Sequence, residues 1–100
     1  MIAKGCTVKN AFSIPYKEDE IDVLYITYQQ QGDTVLEKEL SDCAFGEGFV
    51  SVDLSQEDTL AFQSNQSVQI QIRAKLKNGI ATKSKVIKTM TDNILKDGVI

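Results

Sequence analysis

The chain has 100 residues, of which 42% are hydrophobic and 25% charged, and its net charge is −3. Those values describe one soluble globular domain and leave no apolar run near the length of a membrane-crossing helix. The absence of histidine removes Ser-His-Asp and Cys-His catalysis, and a pI of about 4.8 opposes nucleic-acid binding.

The opening Met1-Ile2-Ala3-Lys4-Gly5-Cys6 has no apolar signal-peptide core, so a cytoplasmic product is expected. Residues 7–14 read as a first strand with Val8, Phe12 and Ile14 as apolar points. Pro15 closes it, having no N–H to give a ladder. Lys17-Glu18-Asp19-Glu20 is a charged turn. The carboxylates of Glu18, Asp19, Glu20 and Asp22 lack the glycine and terminal glutamate of a calcium loop, so a solvated turn is expected. Residues 21–29 form a second strand, with Leu24, Ile26 and Tyr28 on one face and Val23, Tyr25 and Thr27 on the other. Because neither face is fully polar, this strand is expected to be central or covered on its outer side.

After a turn at Gln29-Gln30-Gln31-Gly32-Asp33, residues 34–40 return as a partner strand whose Val35, Glu37 and Glu39 give an acidic outer face. Residues 41–48 read as a loop. Residues 49–54 alternate again, with Val50, Val52 and Leu54 inward. Ser55 followed by Asp58 imitates a capping box, and Gln56, Glu57 and Asp58 open one or two helical turns that drop Leu60 and Phe62 onto the core.

The strongest signal is Val68-Gln69-Ile70-Gln71-Ile72-Arg73-Ala74-Lys75-Leu76, an unbroken alternation that makes a strand with one dry and one wet face. Lys77-Asn78-Gly79 then marks a hairpin, and residues 80–89 are expected to return as one long strand. A two-residue Asn78-Gly79 loop would pair Ala74 with Lys83 and Ile72 with Lys85. That places ammonium groups on the dry face, at a cost of roughly several kcal/mol each. A three-residue loop with Gly79 left-handed pairs Leu76 with Ile80, Ala74 with Thr82, Ile72 with Ser84 and Ile70 with Val86. Lys83 and Lys85 then face water beside Arg73 and Lys75, and this register is expected because a one-residue slip inverts every side chain.

Charge is unevenly spread: residues 1–64 hold 4 Lys against 12 Asp or Glu, and residues 65–100 hold 7 Lys or Arg against 2 Asp. The halves are expected to complement each other within the fold or between subunits; an acidic partner is the alternative. Cys6 and Cys43 fit no zinc spacing and read as two small, half-buried side chains. No catalytic residue, metal ligand or cofactor site emerges, and a non-enzyme is expected. Ile94, Leu95, Val99 and Ile100 are too apolar for a purely solvated tail, so residues 91–100 cap the core, add a short strand, or dock on another subunit.

Several short strands at regular spacing with one helical crossover near residues 55–61 predict an all-β fold. The expected form is a single immunoglobulin-like antiparallel sandwich of about six or seven strands, with an open sheet or small barrel as the alternative. Ser51-Val52-Asp53-Leu54-Ser55-Gln56-Glu57-Asp58-Thr59-Leu60-Ala61-Phe62, followed by Val68-Gln69-Ile70-Gln71-Ile72-Arg73, resembles a family of small proteins encoded by phages and prophages of Gram-positive bacteria. Ile26-Thr27-Tyr28-Gln29, Asp42-Cys43 and Leu95-Lys96-Asp97-Gly98 extend the likeness over nearly the whole chain, whereas Gly5-Cys6-Thr7-Val8 departs from it. The resemblance implies a virion-associated or morphogenesis component without catalytic residues, present in the host cytoplasm and then in the virion. Its expected partners are other phage structural proteins or a second copy, with no nucleic acid and no membrane. The candidate interaction surface comprises Arg73, Lys75, Lys83, Lys85, Ile94 and Leu95. A free-standing binding module for a host protein or carbohydrate is the alternative, favoured by an aromatic platform of Tyr16, Tyr25 and Tyr28.

Overall fold

The alternating stretches fold into two antiparallel sheets in the computed structural model, which describes residues 1–100. The strands are β1 (Val8–Ser13), β2 (Ile21–Gln30), β3 (Asp33–Glu39), β4 (Cys43–Gly46), β5 (Phe49–Leu54), β6 (Ser67–Leu76), β7 (Ala81–Lys83) and β8 (Ile87–Met90). One sheet has the order β1-β5-β4. The other has the order β3-β2-β6, with β7 and β8 following one another along the far side of β6. The chain crosses between sheets three times, from β1 to β2, from β3 to β4, and from β5 through helix α1 (Gln56–Leu60) to β6. No helix is long and apolar enough to cross a membrane.

The inward residues form one cluster of 16 buried apolar side chains, including Leu24, Ile26 and Tyr28 of β2, Val50, Val52 and Leu54 of β5, and Val68, Ile70 and Ile72 of β6. Burying each large aliphatic contributes about 1.5–3 kcal/mol, so both sheets are stable only when closed on one another. β2 is the central strand, paired with β3 on one side and β6 on the other, as its two usable faces predict. Its turn into β3 places Gln31 at φ 52° and Gly32 at φ 81°, the pair of positive values that matches the twist of a tight hairpin.

The capping box at Ser55 forms as expected. Ser55 Oγ accepts from the Asp58 amide at 3.1 Å, and Asp58 Oδ2 accepts from the Ser55 amide at 2.9 Å. The hairpin after β6 also takes the expected register. Gly79 sits at φ 92°, Ala74 pairs with Thr82, and the Ser84 amide donates to the Ile72 carbonyl at 2.8 Å. Only glycine reaches that φ without a Cβ penalty, so Gly79 selects the register that keeps Lys83 out of the core.

Three expectations are corrected. Residues 43–46, read as loop, are strand β4, in which Cys43 and Phe45 point inward and Ala44 and Gly46 outward. The expected long strand over 80–89 is two strands. Ser84 turns its hydroxyl into the ladder, accepting from the Ile72 amide at 3.0 Å, and the register then shifts so that Ile70 pairs with Ile87 instead of Val86. The strand count is therefore eight. Cys6 is exposed, while Cys43 is half-buried; both are free thiols.

The two ends of the chain pack together. Ile2 is 1% exposed and belongs to the core, joined to Thr91 by a parallel bridge in which its amide donates to the Met90 carbonyl at 2.7 Å. Of the alternatives open to residues 91–100, Ile94 takes the capping one: it is half-buried against Gly5, where any Cβ would collide with its side chain. Thr59, fully buried in α1, holds the N-terminal arm in place, its hydroxyl accepting from the Gly5 amide at 3.0 Å and donating to the Cys6 carbonyl at 2.8 Å.

Candidate interaction surface

The outer face of the larger sheet carries most of the exposed chemistry, and its register fixes which side chains are neighbours. One row across the strands reads Glu39, Tyr25, Arg73, Lys83. The next reads Glu37, Thr27, Gln71, and another Thr34, Gln29, Gln69, Lys88. Lys75 lies between Val23 and Ala81. The face therefore passes from acidic on β3, through neutral on β2, to basic on β6 and its outer neighbours.

Each pair of adjacent strands is separated by about 4.8 Å, so Glu39 and Arg73 stand about 10 Å apart across Tyr25, too far for direct pairing. The protein contains two ion pairs, Lys9 with Asp53 at 3.8 Å and Lys38 with Asp58 at 3.0 Å. Neither involves the cations of this face. Arg73, Lys75, Lys83 and Lys85 have no carboxylate partner, and Arg73 and Lys83 are direct cross-strand neighbours of like charge. Like charges opposite one another are mildly destabilising, which leaves electrostatic attraction available to an external anion or acidic surface.

The six residues expected to form one surface divide into three groups. Arg73, Lys75 and Lys83 lie together on the outer face, with Lys83 in the row of Arg73. Lys85 is exposed but falls in the interruption between β7 and β8, off the ladder; Lys88, which sequence reasoning missed, takes the outward place opposite Gln69. Ile94 and Leu95 follow the Thr91 bridge at the other end of β6. The six steps along the strand from Ser67 to Arg73 separate the two ends by about 20 Å. Ile94 is half-buried, and Leu95 is 99% exposed. The structure does not bring these two to the basic patch.

Where β7 gives way to β8, a depression of about 180 Å³ opens on the same face, lined by Thr27, Gln29, Gln69, Gln71, Arg73 and Val86. The edge beside it is apolar as well as basic, since Ile80, Val86, Ile87 and Met90 are all substantially exposed. The three tyrosines do not form a platform. Tyr25 is on the outer face, whereas Tyr28 is in the core, edge-on to Phe62 at 5.9 Å, with its hydroxyl accepting from Asn10 Nδ2 at 2.8 Å. Burial pushes the Tyr28 phenol up to about 12.

A second polar cluster closes the side of the sandwich near α1. Lys38, on the inner face of β3, reaches the capping carboxylate of Asp58, so one ion pair ties the edge strand to the helix. Burial acts to raise the Asp58 carboxyl, but the Ser55 amide and the Lys38 ammonium outweigh it and hold the group below the usual carboxylate range. Cys43 nearby donates to the Glu39 carbonyl at 3.3 Å. Burial first, and the adjacent Asp42 second, push its thiol up to about 11, so it stays protonated near neutrality. No group of three or more His, Cys, Asp or Glu side chains converges as a metal site would require. Comparison of the chain with protein-family models, curated proteins and solved structures finds no match.

Proposed function

We propose that this protein is a non-catalytic interaction module of a phage or prophage, acting in virion structure or assembly by binding another structural protein or a second copy of itself. The observation that carries the reading is the cluster of cations Arg73, Lys75 and Lys83, exposed on one sheet face and without a carboxylate partner. Such a patch steers and orients an acidic protein surface, because its like charges are spread along two neighbouring strands. The phage setting rests on the sequence likeness around residues 51–62 and 68–73. The strand order supports the immunoglobulin-like form of the sandwich: β1-β5-β4 faces β3-β2-β6-β7, the arrangement of a B-E-D sheet opposite a C′-C-F-G sheet.

The test is co-purification of the full chain with the structural proteins encoded beside it, comparing wild type with Arg73→Glu combined with Lys75→Glu. Capture by the wild type and loss in the variant is the expected result. Equal capture of the same partners by both would show that the basic face is not the contact surface. Appearance of the protein in host cells before virion release, and in purified particles afterwards, is the expected localisation.

A further inference from the structure

The larger sheet ends in two edges of opposite character. At one edge, β3 presents Asp33, Glu37 and Glu39, with the half-buried apolar side chains of Val35 and Leu36 between them. At the other, the stretch 81–89 presents Lys83, Lys85 and Lys88 among exposed Val86 and Ile87, while Ile2 covers the backbone only at Met90 and beyond. We infer that these edges bind each other between copies, with β3 of one molecule adding to the 81–89 edge of the next and continuing the sheet head to tail.

Three observations carry this inference, which rests on the interaction-module reading and names its partner as a second copy. The first is charge: acidic residues on one edge and basic residues on the other attract only in the heterologous pairing, and both symmetric pairings set like charges together. The second is strand polarity. β2 is antiparallel to both β3 and β6, and β6 is antiparallel to β7 and β8. A copy displaced along the sheet without being turned over therefore brings its β3 antiparallel to the preceding β8, and the alternation continues unbroken. The third is the apolar content of both edges, which adds contact area to the main-chain ladder.

Lysines on edge strands are also a known guard against aggregation. A guard of that kind works when every edge repels every other, and the two edges here have opposite signs. The sheet has four strand positions per copy, so each added molecule advances by about 19 Å. The strand twist turns it by roughly 80–100°. A heterologous contact of this kind builds rings or filaments, not dimers.

The experiment is sedimentation velocity of the full chain from about 10 µM to about 1 mM, at about 25 mM and about 500 mM salt. The expected result is an average mass that rises with concentration beyond that of a dimer at low salt and falls back at high salt. Lys83→Glu with Lys88→Glu, making both edges acidic, and Glu37→Lys with Glu39→Lys, making both basic, should each weaken association at least tenfold. All four positions are exposed, and far-UV circular dichroism checks that each variant keeps its fold. An equimolar mixture of the two variants should associate again, because each then offers the complement of the other. A wild type that stays monomeric throughout overturns the inference, as does association that stops at a dimer or survives the Glu37 and Glu39 changes. Co-purification of a neighbouring structural protein with such a monomer would leave the interaction-module reading standing while the edge pairing fell.

Discussion

Gln30 offers the most informative single substitution in the fold. It is 4% exposed at the end of β2, and its amide clasps the main chain of Gln63: Nε2 donates to the Gln63 carbonyl at 3.0 Å, and Oε1 accepts from the Gln63 amide at 2.7 Å. The clasp fixes the loop after α1 and so keeps Phe62 against Tyr28. Gln30→Ala removes two hydrogen bonds worth about 1 kcal/mol each and a buried stem worth up to about 1 kcal/mol more, a loss of roughly 2–3 kcal/mol. For a domain of this size, that lowers Tm by roughly 10–20 °C. Gln30→Glu makes a sharper test. Its carboxylate keeps the acceptor but sets a negative oxygen against the Gln63 carbonyl, which raises the folded-state pKa above the unfolded value of about 4.3. The penalty is therefore full above the raised pKa and relieved as pH falls through it, when the protonated carboxyl donates as the Gln30 amide does. Thermal melts of wild type and both variants at about pH 7 and about pH 4.5 measure it. A loss for Gln30→Ala under about 3 °C, or a Gln30→Glu deficit that does not shrink in acid, would refute the clasp.

Further outcomes follow from the same packing. Thr91 buries its Oγ1 without a hydrogen-bond partner, so Thr91→Val, close in shape, should raise stability by about 1 kcal/mol in urea unfolding; a loss would show that the hydroxyl has a partner. Asp58→Asn keeps an acceptor for the Ser55 amide but loses the charge facing Lys38. Because the Asp58 carboxyl is held low, its charge contributes stability above about pH 4 that is lost as pH falls through the depressed folded value. The gap between wild type and Asp58→Asn should accordingly be widest near neutrality and close in acid. Gly79→Ala should cost about 1–2 kcal/mol through its φ of 92° alone, read from the same melts. At pH 8 a thiol reagent should modify exposed Cys6 well before Cys43, whose thiol lies at about 11; equal rates would contradict that assignment.

The elements legible in the sequence were those whose cause is local. The alternation of Val68 to Leu76 fixed both faces of β6, Ser55 with Asp58 marked the helix start, and Gly79 with the lysines after it selected the hairpin register. What escaped depended on partners far along the chain. Ile2 reads as part of an uninformative N-terminus because its support is Thr91, and Gln30 reads as a turn residue because its partner is the main chain of Gln63. β4 had a signal that was too short to weigh: Cys43 and Phe45 alternate with Ala44 and Gly46, and Glu47-Gly48 then supplies a two-residue turn. The break between β7 and β8 arises from one hydroxyl, Ser84, entering the ladder, and it displaced Lys85 from the expected row while bringing Lys88 outward. The basic surface was thus readable as a cluster, but its members depended on a register shift that no periodicity reveals.

If the two edges of the larger sheet bind each other between copies, both become protected as the protein associates. Amide hydrogen exchange of the full chain, followed at low and high protein concentration in low salt, tests it most directly. The edges of the smaller sheet, β1 and β4, serve as internal controls. Protection of β3 and of residues 81–89 should rise together with concentration and disappear in high salt, while β1 and β4 do not change. Protection of β3 and 81–89 that is independent of concentration, or an increase confined to β1 and β4, would contradict it.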